Sequence, residues 1–134
     1  MKVFEKGQVY TTDFKVTEDV YRSFQSCSRD MNPLHTNETF AQEKGFVSVV
    51  MYGNILNAFL SYFIGETLPI DNVIIHSQEI SFKKPVYLNN EIHLEAIVDE
   101  IFESVNAVIF KYKFLNKENS VVVAKGKIQI GILQ

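Results

Sequence analysis

Cysteine, tryptophan and proline are scarce in this chain: one, none and three in 134 residues. A lone thiol, Cys27, cannot close an intramolecular disulfide, and with three scattered histidines it builds no zinc-binding spacing. No metal site is expected, and a reducing, cytoplasmic setting is the natural reading. Basic charge is also short. Thirteen Lys and Arg against sixteen Asp and Glu leave a formal charge of −3, with no excess to neutralise a phosphate backbone, which argues against a nucleic-acid partner. The first residues turn charged and then polar before an apolar stretch develops, so secretion is not indicated. Residues 46–65 run twenty positions without a charge, about the length a bilayer requires. Ser48, Tyr52, Asn54, Asn57 and Ser61 interrupt them and no Lys/Arg cluster flanks them, so a buried core helix is expected and not a membrane span.

What is present is a hydrophobic fraction of 46% with 22% charge, enough for one compact domain over residues 1–134. No repeat, low-complexity run or linker divides it. The last third alternates with period two, which puts every second side chain on one face of a strand. Ile92, Leu94, Ala96 and Val98 form one such row, Val108, Phe110, Tyr112 and Phe114 a second, and Val122, Ala124, Gly126, Ile128, Ile130 and Ile132 a third. Asn89-Asn90 and Asn116-Lys117-Glu118-Asn119 separate the runs, so sequential strands are expected to pair as antiparallel hairpins. An earlier strand over about 73–82 leads to Lys83-Lys84-Pro85, where the proline interrupts it.

The first half is helical in pattern. Thr17 followed by Glu18 and Asp19 is a helix start, and Val20, Tyr21, Phe24 and Cys27 then share a face, on which Cys27 is expected to pack. Asn32-Pro33 is expected to end that helix, and residues 37–43 to resume it. A second main helix runs from about Tyr52-Gly53 to Ile64, apolar almost all round except for Asn54, Asn57 and Ser61 on one narrow stripe. An apolar helix needs covering, and a sheet with one apolar face needs something to cover it. The pattern therefore reads as α+β, a sheet wrapped around a central helix.

The densest chemistry lies in Arg29-Asp30-Met31-Asn32-Pro33-Leu34-His35. Asp30 and His35 are five positions apart, a spacing that rotates them by roughly 140° on a regular helix, so cooperation between them requires a loop. A carboxylate and an imidazole converging on one point can hold a water and take its proton. Turn bonds from Asp30 or Asn32 and a surface His35 account for the string equally well. Gly53, at the start of the apolar helix, offers an amide that can stabilise a developing negative charge, or serves helix entry alone.

Asp30-Met31-Asn32-Pro33-Leu34-His35 resembles the D-x-N-P-L-H motif of the MaoC-like (R)-specific enoyl-CoA hydratases and 3-hydroxyacyl-thioester dehydratases. Ile64-Gly65-Glu66-Thr67-Leu68-Pro69 and Gln78-Glu79-Ile80-Ser81-Phe82-Lys83-Lys84-Pro85-Val86 resemble downstream family segments in the same order. The resemblance implies the hot-dog fold, a curved antiparallel sheet around a central helix, with homodimers or higher homo-oligomers. It implies reversible hydration of trans-2-enoyl thioesters to (R)-3-hydroxyacyl thioesters. Asp30 and His35 would form the catalytic pair, with the Gly53 amide as oxyanion donor. Asn32, Tyr52, Asn54, Asn57 and Gln78 are the expected substrate contacts, although a solvated or dimer-facing stripe explains Asn54, Asn57 and Ser61 equally well. Coenzyme A or the phosphopantetheine of an acyl carrier protein would enter as part of the substrate, with no further cofactor. One departure is evident: the family usually has His-Gly-Met where this chain has Tyr52-Gly53-Asn54. Thioester hydrolysis and a non-catalytic thioester-binding subunit remain open alternatives.

Outside the motif, His76 and Gln78 share strand parity with Ile80 and Phe82 and are expected to point inward, while His93 falls on a solvated polar face. Lys83 and Lys84 either attract substrate phosphates or are ordinary exposed lysines.

Overall fold

The computed structural model describes residues 3–134. Its strands are β1 (Val9–Lys15), β2 (Val73–Phe82), β3 (Glu91–Phe102), β4 (Ala107–Asn116) and β5 (Val122–Ile132). Between β1 and β2 lie α1 (Glu18–Ser28), α2 (Pro33–Thr36), α3 (Glu38–Glu43) and α4 (Ile55–Tyr62), the last continuing as a π turn over Phe63–Thr67. The strands form one antiparallel sheet in the order β1-β3-β4-β5-β2.

The period-two rows become the inner face of the sheet. Ile92, Leu94, Phe110, Phe114, Ile128 and Ile130 are fully buried, and they close over Ile55, Leu56, Leu60 and Phe63 of α4 and its π turn. Asn106 and Ser120 take the left-handed conformation that turns β3 into β4 and β4 into β5. Hairpins form at both of these connections, as alternation and turn residues predict.

The sequence reading of β2 and β3 as neighbours is not met. After β2 the chain breaks at Lys83-Lys84-Pro85 and crosses to the far side of the sheet, where β3 pairs with β1. Backbone bonds Val16 N to Asn90 O (3.0 Å) and Asn89 N to Val16 O (2.7 Å) fix that arrival. β2 instead pairs with β5 and forms the opposite edge. β1 itself has no counterpart in the sequence reading. Its inner residues Tyr10, Thr12 and Phe14 are only half-buried, and Val9 and Thr11 face out, so neither side carries a clean apolar row.

A bulge in β2 between Ile75 and Ser77 changes the facing of its first half. Gln78 stays on the helix side, donating to Asn57 Oδ1 of α4 at 2.6 Å. His76 is displaced to lie over Gly131 and beside Gln129 (3.1 Å), which alternates with the buried Ile128 and Ile130. His76 therefore turns away from the helix, because one extra residue reverses the parity on which the inward expectation rests.

α1 starts as predicted, with Thr17 Oγ1 accepting from Val20 N at 3.1 Å. It stops earlier than Asn32-Pro33, at Arg29, whose left-handed backbone (φ 57°) returns its N–H to Gln25 O at 2.8 Å. Pro33 opens α2 at its first helical position, where the missing N–H costs nothing. Cys27 is exposed and does not pack. Asn37 Oδ1 caps α3 through Phe40 N at 3.0 Å. The central helix is shorter than its apolar run, and one stripe of it, Asn54, Ala58, Ser61 and Tyr62, stays exposed. Among the described residues no helix is long and apolar enough to cross a membrane.

Candidate active site

A cavity of about 520 Å³ opens where the α1–α2 loop, the start of α4 and the end of β2 meet. That is within the range of small-molecule sites. Asp30, His35, Tyr52, Gly53 and Asn54 all border it, as do Phe82, Lys83 and Lys84. Residues distant in sequence converge because Met51 N bonds Val86 O (2.8 Å) and Val50 N bonds Leu34 O (3.0 Å), which ties loop, helix start and strand end together.

His35 is held at three points. Its Nδ1 lies 2.6 Å from the Val50 carbonyl oxygen. A carbonyl only accepts, so Nδ1 carries a proton, and in the neutral imidazole Nε2 is the proton-accepting nitrogen. Its own carbonyl accepts from Tyr21 Oη at 2.5 Å. Its ring stacks on Tyr52 with centroids 4.2 Å apart and planes 28° from parallel. Burial, with the neighbouring Tyr52 as a lesser contribution, pushes the Tyr21 hydroxyl up to about 12, so it remains a donor throughout the neutral range.

Asp30 sits on the loop that the Arg29 turn creates. One carboxylate oxygen accepts from Asn32 N at 2.9 Å, and the other has no protein partner among the described residues. No hydrogen bond joins Asp30 to His35. Both border the same cavity.

Gly53 precedes α4, whose first turn has no side-chain cap. Ile55 N and Leu56 N turn back to Tyr52 O and Gly53 O, both at 3.0 Å, which leaves the N–H groups of Gly53 and Asn54 without a protein acceptor among the described residues. A Cβ on Gly53 would lie 3.0 Å from the Phe82 ring. The absence of a side chain lets Phe82 close over the helix start.

The remaining expected contacts divide. Asn32 does not border the cavity; its Oδ1 caps α2 through Leu34 N at 2.9 Å. Asn57 and Gln78 also lie off the cavity, joined to each other, and Asn57 Nδ2 donates onward to Asn54 Oδ1 at 2.8 Å. Tyr52 borders the cavity but is only 2% exposed. His93 is not free in solvent: its Nδ1 lies 2.6 Å from Asp13 Oδ1, and that bond holds the Asp13 carboxyl below its usual range. Val50, Tyr21 and Phe82 are bordering or supporting residues that the motif did not reveal. Val50 acts through its backbone, which carries no sequence signal, and Tyr21 reads as one more apolar position of α1.

Comparison with known proteins gives the chain its relatives. Over 81 residues the chain is 33% identical to the (R)-specific enoyl-CoA hydratase of Aeromonas caviae, covering 60% of this chain and 60% of that protein. It is 27% identical over 113 residues to a mitochondrial 3-hydroxyacyl-[acyl-carrier-protein] dehydratase of Arabidopsis thaliana, covering 83% of this chain and 66% of that one. Among solved structures, the (R)-hydratase from A. caviae involved in PHA biosynthesis superposes with a TM-score of 0.88 at 24% identity, over 97% of this chain and 98% of that one. A model of the MaoC-like domain matches residues 3–121, and with the hot-dog architecture described above this chain belongs to the MaoC-like domain family.

Proposed function

We propose that the protein catalyses the reversible hydration of trans-2-enoyl thioesters to (R)-3-hydroxyacyl thioesters. The observation that carries this reading is the hydrogen bond of His35: Nδ1 is spent on Val50 O, so in the neutral ring Nε2 is left as the acceptor of a residue that borders the same cavity as Asp30. Asp30 and His35 hold one water between them. Nε2 takes a proton from it as the oxygen adds to the β-carbon. Negative charge moves to the thioester oxygen, where the unpaired Gly53 N–H receives it at the positive end of α4. The proton then passes to the α-carbon, which completes the addition of one water. Dehydration is the same path reversed. The chemistry is acid, base and hydrogen-bond donation, and coenzyme A or phosphopantetheine takes part as the carrier of the acyl group. The names of the relatives include CoA and acyl carrier protein.

The proposal extends to assembly. β2 is an edge strand with Ile74 and Phe82 about half exposed, and the exposed Asn54 at the entry of α4 is linked to it through Asn57 and Gln78. A second copy joined edge to edge would cover both.

The test is product analysis after incubation with crotonyl-CoA. The (R)-3-hydroxybutyryl thioester is expected. Free thiol as the main product would assign hydrolysis instead, and tight binding without product would assign a binding subunit.

A further inference from the structure

Resting on that reading, we infer that Tyr52 is a positioning residue that holds Asp30 and His35 in one geometry, and not a substrate contact. Its ring is the platform on which the His35 ring stacks at 4.2 Å. Its hydroxyl donates to the backbone oxygen of Asp30 at 2.6 Å and accepts from Gln25 Nε2 at 3.2 Å. Asp30 and His35 share no hydrogen bond between side chains, so Tyr52 touches both members of the pair where they do not touch each other.

Three observations separate this role from substrate binding. A phenol has one proton to donate, and that proton is committed to Asp30 O. The side chain is 2% exposed, so a ligand in the cavity meets at most an edge of the ring. Tyr21 and Phe24 of α1 pack on it with ring centroids 5.2 Å and 5.0 Å away, which leaves the ring no room to swing out. The loop at Asp30 needs this help. Its carboxylate is exposed, it follows a left-handed residue, and its local bonds join neighbours only two positions away. The Tyr52 hydroxyl is the long-range tie that fixes its distance from His35.

The experiment compares Tyr52→Phe and Tyr52→Leu with the native protein in enoyl-thioester hydration and in ¹⁵N spectra of the histidine rings. Tyr52→Phe keeps the stack and the buried volume but releases the Asp30 loop. It is expected to lower kcat about tenfold with KM unchanged, as a small misplacement of a catalytic group does. The His35 ring keeps its Nδ1-protonated signature. Tyr52→Leu removes the platform as well, lowering kcat about a hundredfold and converting the His35 signals to a mixture of tautomers. An increase in KM at constant kcat in either variant would make Tyr52 a substrate contact and overturn the inference, and native kcat in both variants would do the same. If the native protein hydrates no enoyl thioester, the functional reading fails separately and the spectra still decide: an unchanged tautomer in Tyr52→Leu overturns the positioning role.

Discussion

At the scale of single residues, the site is a set of polar groups whose hydrogen-bonding capacity is already assigned, with a few left over. His35 has Nε2 left over, Asp30 one carboxylate oxygen, and Gly53 its amide. Replacing His35 by Ala removes the proposed base and is expected to lower hydration about 10²- to 10⁴-fold with little change in KM, measured by steady-state kinetics. Tyrosines supply a second prediction. Burial pushes Tyr21 and Tyr112 up to about 12 from an ordinary value of 10.0, and both donate to backbone carbonyls, of His35 and Glu79. A raised tyrosine is neutral in the folded protein when the unfolded chain ionises. Its stabilising effect is therefore complete below pH 10 and is lost as pH rises towards 12. Tyrosinate absorbance is expected to show Tyr21 and Tyr112 as late groups, and alkaline unfolding is expected to coincide with them; titration of these two near 10.0 in the folded state would contradict this.

At the scale of elements, most of the secondary structure was legible and its joints were not. Thr17, the three alternating rows and the apolar run to Ile64 each carry a local signal strong enough to survive folding. The Asp30–His35 convergence was legible only as a requirement for a loop; the element that provides it is the left-handed Arg29, a residue with no glycine to announce it. The motif puts Asn32 among the expected substrate contacts, but an Asn before Pro is also a helix cap, and its Oδ1 is taken by Leu34 N. His76 was misplaced because a bulge leaves no trace in a period-two count. Strand β5 has its own close approach. A Cβ on Gly126 would lie 1.9 Å from Glu79 O and 2.7 Å from Tyr112 Oη, where Tyr112 reaches across β5 to bond β2. Gly126→Ala is expected to cost about 3 kcal/mol in denaturant unfolding, at the upper end for overpacking, because backbone must move. An unchanged midpoint would show that the edge strand is loosely held.

At the scale of the whole molecule, one apolar helix and one curved sheet solve each other's burial problem, and the loop that carries Asp30 borders the cavity at the start of that helix. The architecture leaves β2 unpaired on its outer side, together with the exposed stripe of α4. Sedimentation is expected to give a dimer or a multiple of it, and Ile74→Lys with Phe82→Lys is expected to shift that equilibrium towards monomer; a native monomer would contradict the assembly proposed. The fold follows from pattern, but which reaction it hosts does not, since the same helix and sheet would bury equally well around another loop. The reaction rests on a handful of leftover atoms. The most direct measurement is the rate at which the enoyl-thioester absorbance of crotonyl-CoA falls with the native protein and with His35→Ala. The account predicts a decay with the native protein that His35→Ala slows by at least about a hundredfold. Equal decay in both would show that His35 is not the base and would contradict it.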